Sequence, residues 1–124
     1  MINELAQEIH KNAVSKGFYE EEKDTATWLM LIVTEVAEAC EADRKDRFAD
    51  WEAFEDTHFR VVKSTSAWKE AFDIHIKDTF EDELADIMIR VMDLAAHKGI
   101  DLETHIEAKM HRNSLREYKH GKKY

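Results

Sequence analysis

Two acidic couples, Glu35-Val-Ala-Glu38 and Glu83-Leu-Ala-Asp86, are each set in an otherwise apolar stretch of the chain. On a helix, three-residue spacing puts both carboxylates of a couple on one face, about one turn apart. Two such faces turned toward each other would converge four carboxylates on one spot. Hard oxygen ligands at that density suit Mg²⁺ or Mn²⁺ bound to a phosphate-bearing substrate. Glu35, Glu38, Glu83 and Asp86 are thus the candidate metal ligands.

Spacing alone selects nothing, because the chain holds eight acidic pairs at i,i+3, and such pairs on helices are commonly a solvated face. Context separates these two. Glu35 and Glu38 stand among Leu31, Ile32, Val33, Val36, Ala37 and Ala39; Glu83 and Asp86 stand among Leu84, Ala85, Ile87, Met88 and Ile89. Carboxylates crowded into a partly apolar groove repel one another and lose hydration, so a cation is needed to hold them charged. A ferritin-like di-iron centre would require Glu-x-x-His on two core helices. The two pairs of that form, Glu55 with His58 and Glu117 with His120, fall in an irregular stretch and near the C-terminus. The histidines otherwise show no zinc-site spacing, and no glycine-rich phosphate loop is present.

The elements that must position these residues read as helices. Proline is absent and glycine occurs only at Gly17, Gly99 and Gly121, so the fold class is all-α. Ile2, Leu5, Ile9 and Ala13 repeat at helical spacing up to a stop at Gly17. A second helix opens at Asp24-Thr25 and carries an apolar stripe of Trp28, Leu29, Ile32, Val36 and Cys40 toward Arg44. A third, capped at Asp78 or Thr79, runs to Gly99, and a fourth, capped by Asp101, runs through Leu102, Ile106 and Met110. Residues 47–77 are less regular and predict one or two short helices and a loop. The expected architecture is a helical bundle of four main helices, with a short irregular or helical insertion between the second and third.

At 124 residues the chain predicts a single domain with a modest core, completed by oligomerisation to a homodimer or homotetramer. A net charge of −9 argues against a general nucleic-acid binder. Residues 109–124 are the exception, with six Lys or Arg against the single acid Glu117, and predict a basic C-terminal arm on an acidic body. Cys40 is the only cysteine, which excludes an internal disulfide, fits a reducing cytoplasm, and on its apolar stripe reads as a buried small side chain. No apolar run is long enough to span a bilayer and no signal-peptide pattern opens the chain.

The order Glu35-x-x-Glu38, Glu83-x-x-Asp86, Lys109-x-x-x-Asn113-x-x-Arg116 and His120-Gly121-Lys122 resembles the MazG-like, all-α nucleoside triphosphate pyrophosphohydrolases. The resemblance implies Mg²⁺-dependent hydrolysis of a nucleoside triphosphate to a monophosphate and pyrophosphate, with Mn²⁺ a possible substitute. It implies catalytic, metal-holding roles for Glu35, Glu38, Glu83 and Asp86. It also implies phosphate contacts by Lys109, Asn113 and Arg116, in keeping with the need of a triphosphate for cationic partners beyond its metals.

Two departures from the family pattern stand out. Many members carry a further Glu directly before the first couple, where this chain has Thr34, and the 44 residues between Glu38 and Glu83 are more than the family usually shows. The added length is rich in aromatics. Trp51, Phe54 and Trp68 there, and Trp28 on the second helix, are candidates for stacking on a nucleobase or forming a lid, against the simpler expectation that they pack a core or a subunit contact. Two other readings compete with the hydrolase: a noncatalytic nucleotide- and metal-binding regulator, and an acidic interaction adaptor that uses neither.

Overall fold

Six α-helices, α1 (Ile2–Ser15), α2 (Thr25–Arg44), α3 (Trp51–Arg60), α4 (Thr65–His75), α5 (Phe80–His97) and α6 (Leu102–Ser114), are followed by a 3₁₀ turn at Tyr118–Gly121. The computed structural model describes residues 1–60 and 64–124, with the side chains of 58–60 and 120 outside the description. There is no strand among the described residues. The side chains of His58 and His120, the histidines of the two Glu-x-x-His pairs, therefore lie outside the described residues.

Short polar side chains set the helix starts by satisfying N–H groups that a first turn leaves without a partner. Asp24 accepts from Thr27 N at 2.8 Å, Asp101 from Thr104 N at 3.1 Å, and Ser64 from Ala67 N at 3.1 Å. Thr79, rather than Asp78, opens α5, its hydroxyl accepting from Asp82 N at 3.4 Å. Gly99 ends α5 at φ +65°, which lets Ile100 N reach back to Ala95 O at 2.9 Å. The same closure ends α2 without glycine: Asp46 takes φ +54° and Arg47 N bonds Ala42 O at 2.9 Å. An Asp tolerates the left-handed region better than most residues.

The chain divides into two compact units, Met1–Glu22 with Val91–Tyr124, and Lys23–Arg90. In the first, the starts of α1 and α6 are laced together. Glu103 accepts from Ile2 N at 2.7 Å, and Asn3 both donates to Asp101 at 2.7 Å and accepts from Glu103 N at 3.1 Å. Ala6, Met92 and Ala95 are the buried apolar residues there. The fourth expected helix runs past Met110 to Ser114, so the basic segment begins as helix. His111 and Arg112 in its last turn suit the negative end of the helix dipole.

In the second unit, α2 and the start of α5 run antiparallel. Phe80 N bonds Arg47 O at 2.8 Å where α2 has just ended, while Arg90, nearly three turns on, bonds Glu35. The insertion between them, expected to hold one or two short helices, holds two, α3 and α4. Asp50 caps α3 by accepting from Ala53 N at 3.0 Å, and Ser64, which looked like a break, caps α4. Phe54, Ala71 and Ile76 form their common core, with Ala49 and Phe72 against it. Asp50 N to His75 O at 3.1 Å and Ala49 N to Glu81 at 2.8 Å fasten the hairpin's base. An excursion that leaves and returns at one place keeps α2 and α5 adjacent whatever its length.

The rotation of α2 also differs from expectation. Its buried face is Trp28, Glu35, Ala39 and Ala42; of the expected stripe Trp28 is buried and Ile32 half-buried, while Leu29, Val36 and Cys40 are not covered. Leu29, Val33, Val36 and Cys40 lie roughly 100–160° around the helix from Glu35, and all four are exposed. Cys40 is therefore not the buried residue expected.

Candidate active site

Glu35 and Glu38 on α2 and Glu83 on α5 offer carboxylate oxygens that all lie within 4.8 Å of one another. Glu35 and Glu83 are buried and Glu38 is exposed, so the cluster has two enclosed carboxylates and one facing solvent. Asp86, one turn beyond Glu83, is half-buried and adds its charge to both Glu38 and Glu83. All four sequence-predicted acids thus belong to one electrostatic group.

Their proton affinities follow from the crowding. Burial, then the charges of Glu38 and Asp86, push the Glu83 carboxyl up to about 7. Asp86 is raised by burial and by Asp82 and Glu35, against the opposing pull of Arg90. Glu38 is raised chiefly through its interaction with Glu35. Burial pushes Glu35 the same way, but hydrogen bonds from Arg90 and Glu38 outweigh it and hold this carboxyl below its ordinary range. The decisive contact is Arg90 Nε, which donates to Glu35 Oε1 at 2.6 Å.

The residues fit a hard dication. Glu83 Oε2 is enclosed and, among the described residues, has no hydrogen-bond partner. An orphaned buried carboxylate oxygen is costly unless a proton or a cation supplies the missing interaction. Three carboxylates at this separation are an oxygen-rich set of the kind Mg²⁺ and Mn²⁺ take.

Arg90 escaped the sequence reading, although its signal is of the same kind as that of the acids. It is a lone cation in the apolar run Ile87 to Met92, four residues after Asp86 and hence on the same helix face. Thr34 supplies no substitute for the missing carboxylate, because it is exposed and its hydroxyl donates to Leu31 O at 2.6 Å.

The other singled-out residues are distributed as follows. Lys109 and Asn113, with His105, Ile106 and Met110, line an open pocket of about 450 Å³ on α6. Arg116 is exposed beyond the end of that helix and does not line the pocket. Trp28 is buried, with Lys23 Nζ 5.0 Å from the ring centroid. Trp68 stacks on Phe72 at 5.2 Å and meets Phe54 edge-on at 5.8 Å, with 45 % of its surface exposed. A further polar cluster went unnoticed in the sequence. Asp93, buried on α5, receives the Tyr19 hydroxyl at 2.7 Å and faces His10 Nδ1 at 2.8 Å. It ties the α1–α2 turn and α1 to α5 within their unit.

No helix among the described residues is long and apolar enough to cross a membrane. Comparison with curated proteins and with solved structures gives no match. The family model described as phosphoribosyl-ATP pyrophosphohydrolase matches residues 2–114, a span that includes all four carboxylates, Arg90, Lys109 and Asn113. The chain belongs to the phosphoribosyl-ATP pyrophosphohydrolase family, within the MazG-like all-α nucleoside triphosphate pyrophosphohydrolase superfamily.

Proposed function

We propose that this chain, as one catalytic domain over residues 1–124, hydrolyses a nucleotide triphosphate to a monophosphate and pyrophosphate with a divalent cation, Mg²⁺ or Mn²⁺, held by Glu35, Glu38, Glu83 and Asp86. The observation that carries the reading is the buried, unpartnered Oε2 of Glu83 beside two further carboxylates within 4.8 Å. Family membership supports the reaction class and puts phosphoribosyl-ATP first among substrates to try, with nucleoside triphosphates beside it.

Bound in this cluster, the cation would polarise a phosphoryl oxygen and lower the pKa of water. The chain's own groups divide the remaining work. Glu35 and Glu83 are the enclosed walls of the site, and Arg90 holds Glu35 ionised and in place. Glu38 is the most exposed of the four carboxylates, so we assign it the proton that water loses on attacking phosphorus. One phosphoanhydride bond breaks, and its electron pair leaves with pyrophosphate. Lys109, Asn113 and Arg116 are proposed phosphate contacts.

A second copy of the chain is the proposed partner of the exposed apolar residues on α2 and α5. Leu29, Val33 and Val36, with Leu84, Met88 and Ile89, are a large apolar surface to leave in water.

Thr34 sustains one rival reading, a regulator that binds metal and nucleotide without turnover. Pyrophosphate release from phosphoribosyl-ATP and a nucleoside triphosphate panel, with Mg²⁺ and with chelator, decides between them once the nucleotide product is identified. Metal-dependent monophosphate supports the hydrolase. Binding without release across the panel favours the regulator, and absence of any ligand-induced rise in melting temperature favours an adaptor.

A further inference from the structure

Arg90 makes one hydrogen bond in the site, and its charge also acts on Asp86. Its Nε donates to Glu35 Oε1 at 2.6 Å, and among the described residues its two terminal amino groups donate to nothing. A guanidinium has five N–H donors, so four are unspent. The side chain is 35 % exposed, whereas that of Glu35 is 10 % exposed. The buried carboxylate therefore anchors the inner edge of the guanidinium, and the group's remaining donors are available outside that contact.

A simple counter-ion would be better served otherwise. An arginine that only neutralises a carboxylate gains most from two parallel N–H···O bonds. The single Nε contact forgoes the second bond while fixing the direction of the guanidinium plane. A polyphosphate approaching Glu35, Glu38, Glu83 and Asp86 meets a strongly repulsive field, and every cation at hand matters. Arg90 is the one cation hydrogen-bonded to this cluster among the described residues. Its planar fork matches two oxygens of a phosphoryl group, which a lysine ammonium cannot do.

We propose that Arg90 is a substrate-binding residue: Glu35 orients its guanidinium through Nε, and the terminal amino groups grip non-bridging oxygens of the substrate's polyphosphate beside the carboxylate cluster. The proposal rests on the hydrolase reading and adds to it a residue and a contact. It makes Glu35 bifunctional, as a wall of the cation site and as the hinge post of the phosphate clamp.

Arg90→Lys keeps the charge and one bond's reach but loses the fork, and Arg90→Gln loses both. Mn²⁺ binding alone reports on Glu35 and its neighbours. Inorganic pyrophosphate binding in the presence of Mn²⁺ reports on the clamp. Arg90→Lys should keep Mn²⁺ affinity within about threefold of wild type and weaken pyrophosphate by about tenfold or more, the scale of one charge-assisted hydrogen bond. Arg90→Gln should weaken pyrophosphate further. In the wild-type protein, independent of how the variants fold, pyrophosphate should perturb the Arg90 guanidinium ¹⁵N signals.

Parallel loss of Mn²⁺ and pyrophosphate binding in Arg90→Lys, or wild-type behaviour in both, would overturn the clamp while leaving the hydrolase reading standing. So would guanidinium signals indifferent to pyrophosphate. Failure of the wild-type protein to bind Mn²⁺ and to release pyrophosphate from any triphosphate would bring down the hydrolase reading and the clamp with it.

Discussion

Glu35 on α2 and Glu83 on α5 hold buried carboxylates with oxygens within 4.8 Å, and the two respond to that closeness in opposite directions. Arg90 keeps Glu35 below the ordinary carboxylate range despite its burial, while burial and neighbouring charge push Glu83 up to about 7. The folded chain therefore retains a proton on Glu83 at a pH where the unfolded chain has released it. The stability this contributes is complete below the unfolded value of 4.5 and is lost as pH rises through about 7. The raised Glu38 and Asp86 act in the same sense. Glu35 acts in the other: its contribution is present above 4.5 and is lost as pH falls through its depressed value. In chelator, the melting temperature should fall between about pH 5 and 7.5 from this cluster. Mg²⁺ or Mn²⁺ should restore it at the upper end, and Glu83→Gln should flatten the slope. A chelated protein whose stability is level across that window, in wild type and variant alike, would show that the cluster stores no proton.

Removing a ligand charge should separate turnover from folding. Glu38 is exposed and Asp86 half-buried, so Glu38→Gln and Asp86→Asn relieve repulsion without opening a cavity. Both should melt at or above the wild-type temperature in chelator. Both should lose about 10²-fold or more in kcat/KM, because several kcal/mol of transition-state stabilisation pass through a bound cation. Steady-state kinetics beside thermal melts makes the comparison. Near-normal turnover in both variants would remove these residues from the ligand set.

The couples were legible because an acid in an apolar run is anomalous in one dimension, before any packing is known. Helix ends were legible for the same local reason, since Asp24, Asp101, Gly17 and Gly99 act on neighbours a few residues away. Arg90 obeys the same rule but is less legible, because one cation has no spacing to mark it. What the sequence did not give was rotation. The expected stripe from Trp28 through Leu29, Ile32 and Val36 to Cys40 and the line from Trp28 through Glu35 to Ala42 are both helical periodicities on α2, and hydrophobicity favours the first as the buried face. The structure buries the second, because the small Ala39 and Ala42 and the paired Glu35 face α5's side of the unit. Short helices between α2 and α5 were legible but their bounds were not, because Ser64 and Asp50 are as much loop residues as caps until the helix after them is seen.

The hairpin yields a contrast between two aromatic truncations. Phe54 is buried and meets Trp51 edge-on at 5.3 Å and Trp68 at 5.8 Å, at the centre of the α3–α4 core. Phe54→Ala should cost about 3–5 kcal/mol and lower the melting temperature accordingly. Trp68 is a packing residue by its contacts, so Trp68→Ala should cost less, in keeping with its exposure, and should leave KM and substrate preference unchanged. Differential scanning calorimetry and a substrate panel report the two quantities separately. A rise in KM that depends on the base would instead assign Trp68 to nucleobase stacking, worth about 1–3 kcal/mol.

The exposed stripe on α2 makes the last prediction. Leu29 and Val33 are 51 % and 53 % exposed, and Met88 on α5 is 47 % exposed, yet the opposite face of α2 carries Glu35 of the acidic cluster. A helix that commits one face to the carboxylates and the other to apolar side chains has a second surface to cover, and a second copy of the chain is the proposed cover. Sedimentation should then show a homo-oligomer. Val33→Glu should shift it to monomer by placing a charge in the contact, while Mn²⁺ binding persists because position 33 lies on the face away from Glu35. Cys40 ends the same stripe and is exposed, so a thiol crosslinker should join subunits of the wild type and fail on Val33→Glu. A monomeric wild type at micromolar concentration would mean that the stripe does not pair with its own copy.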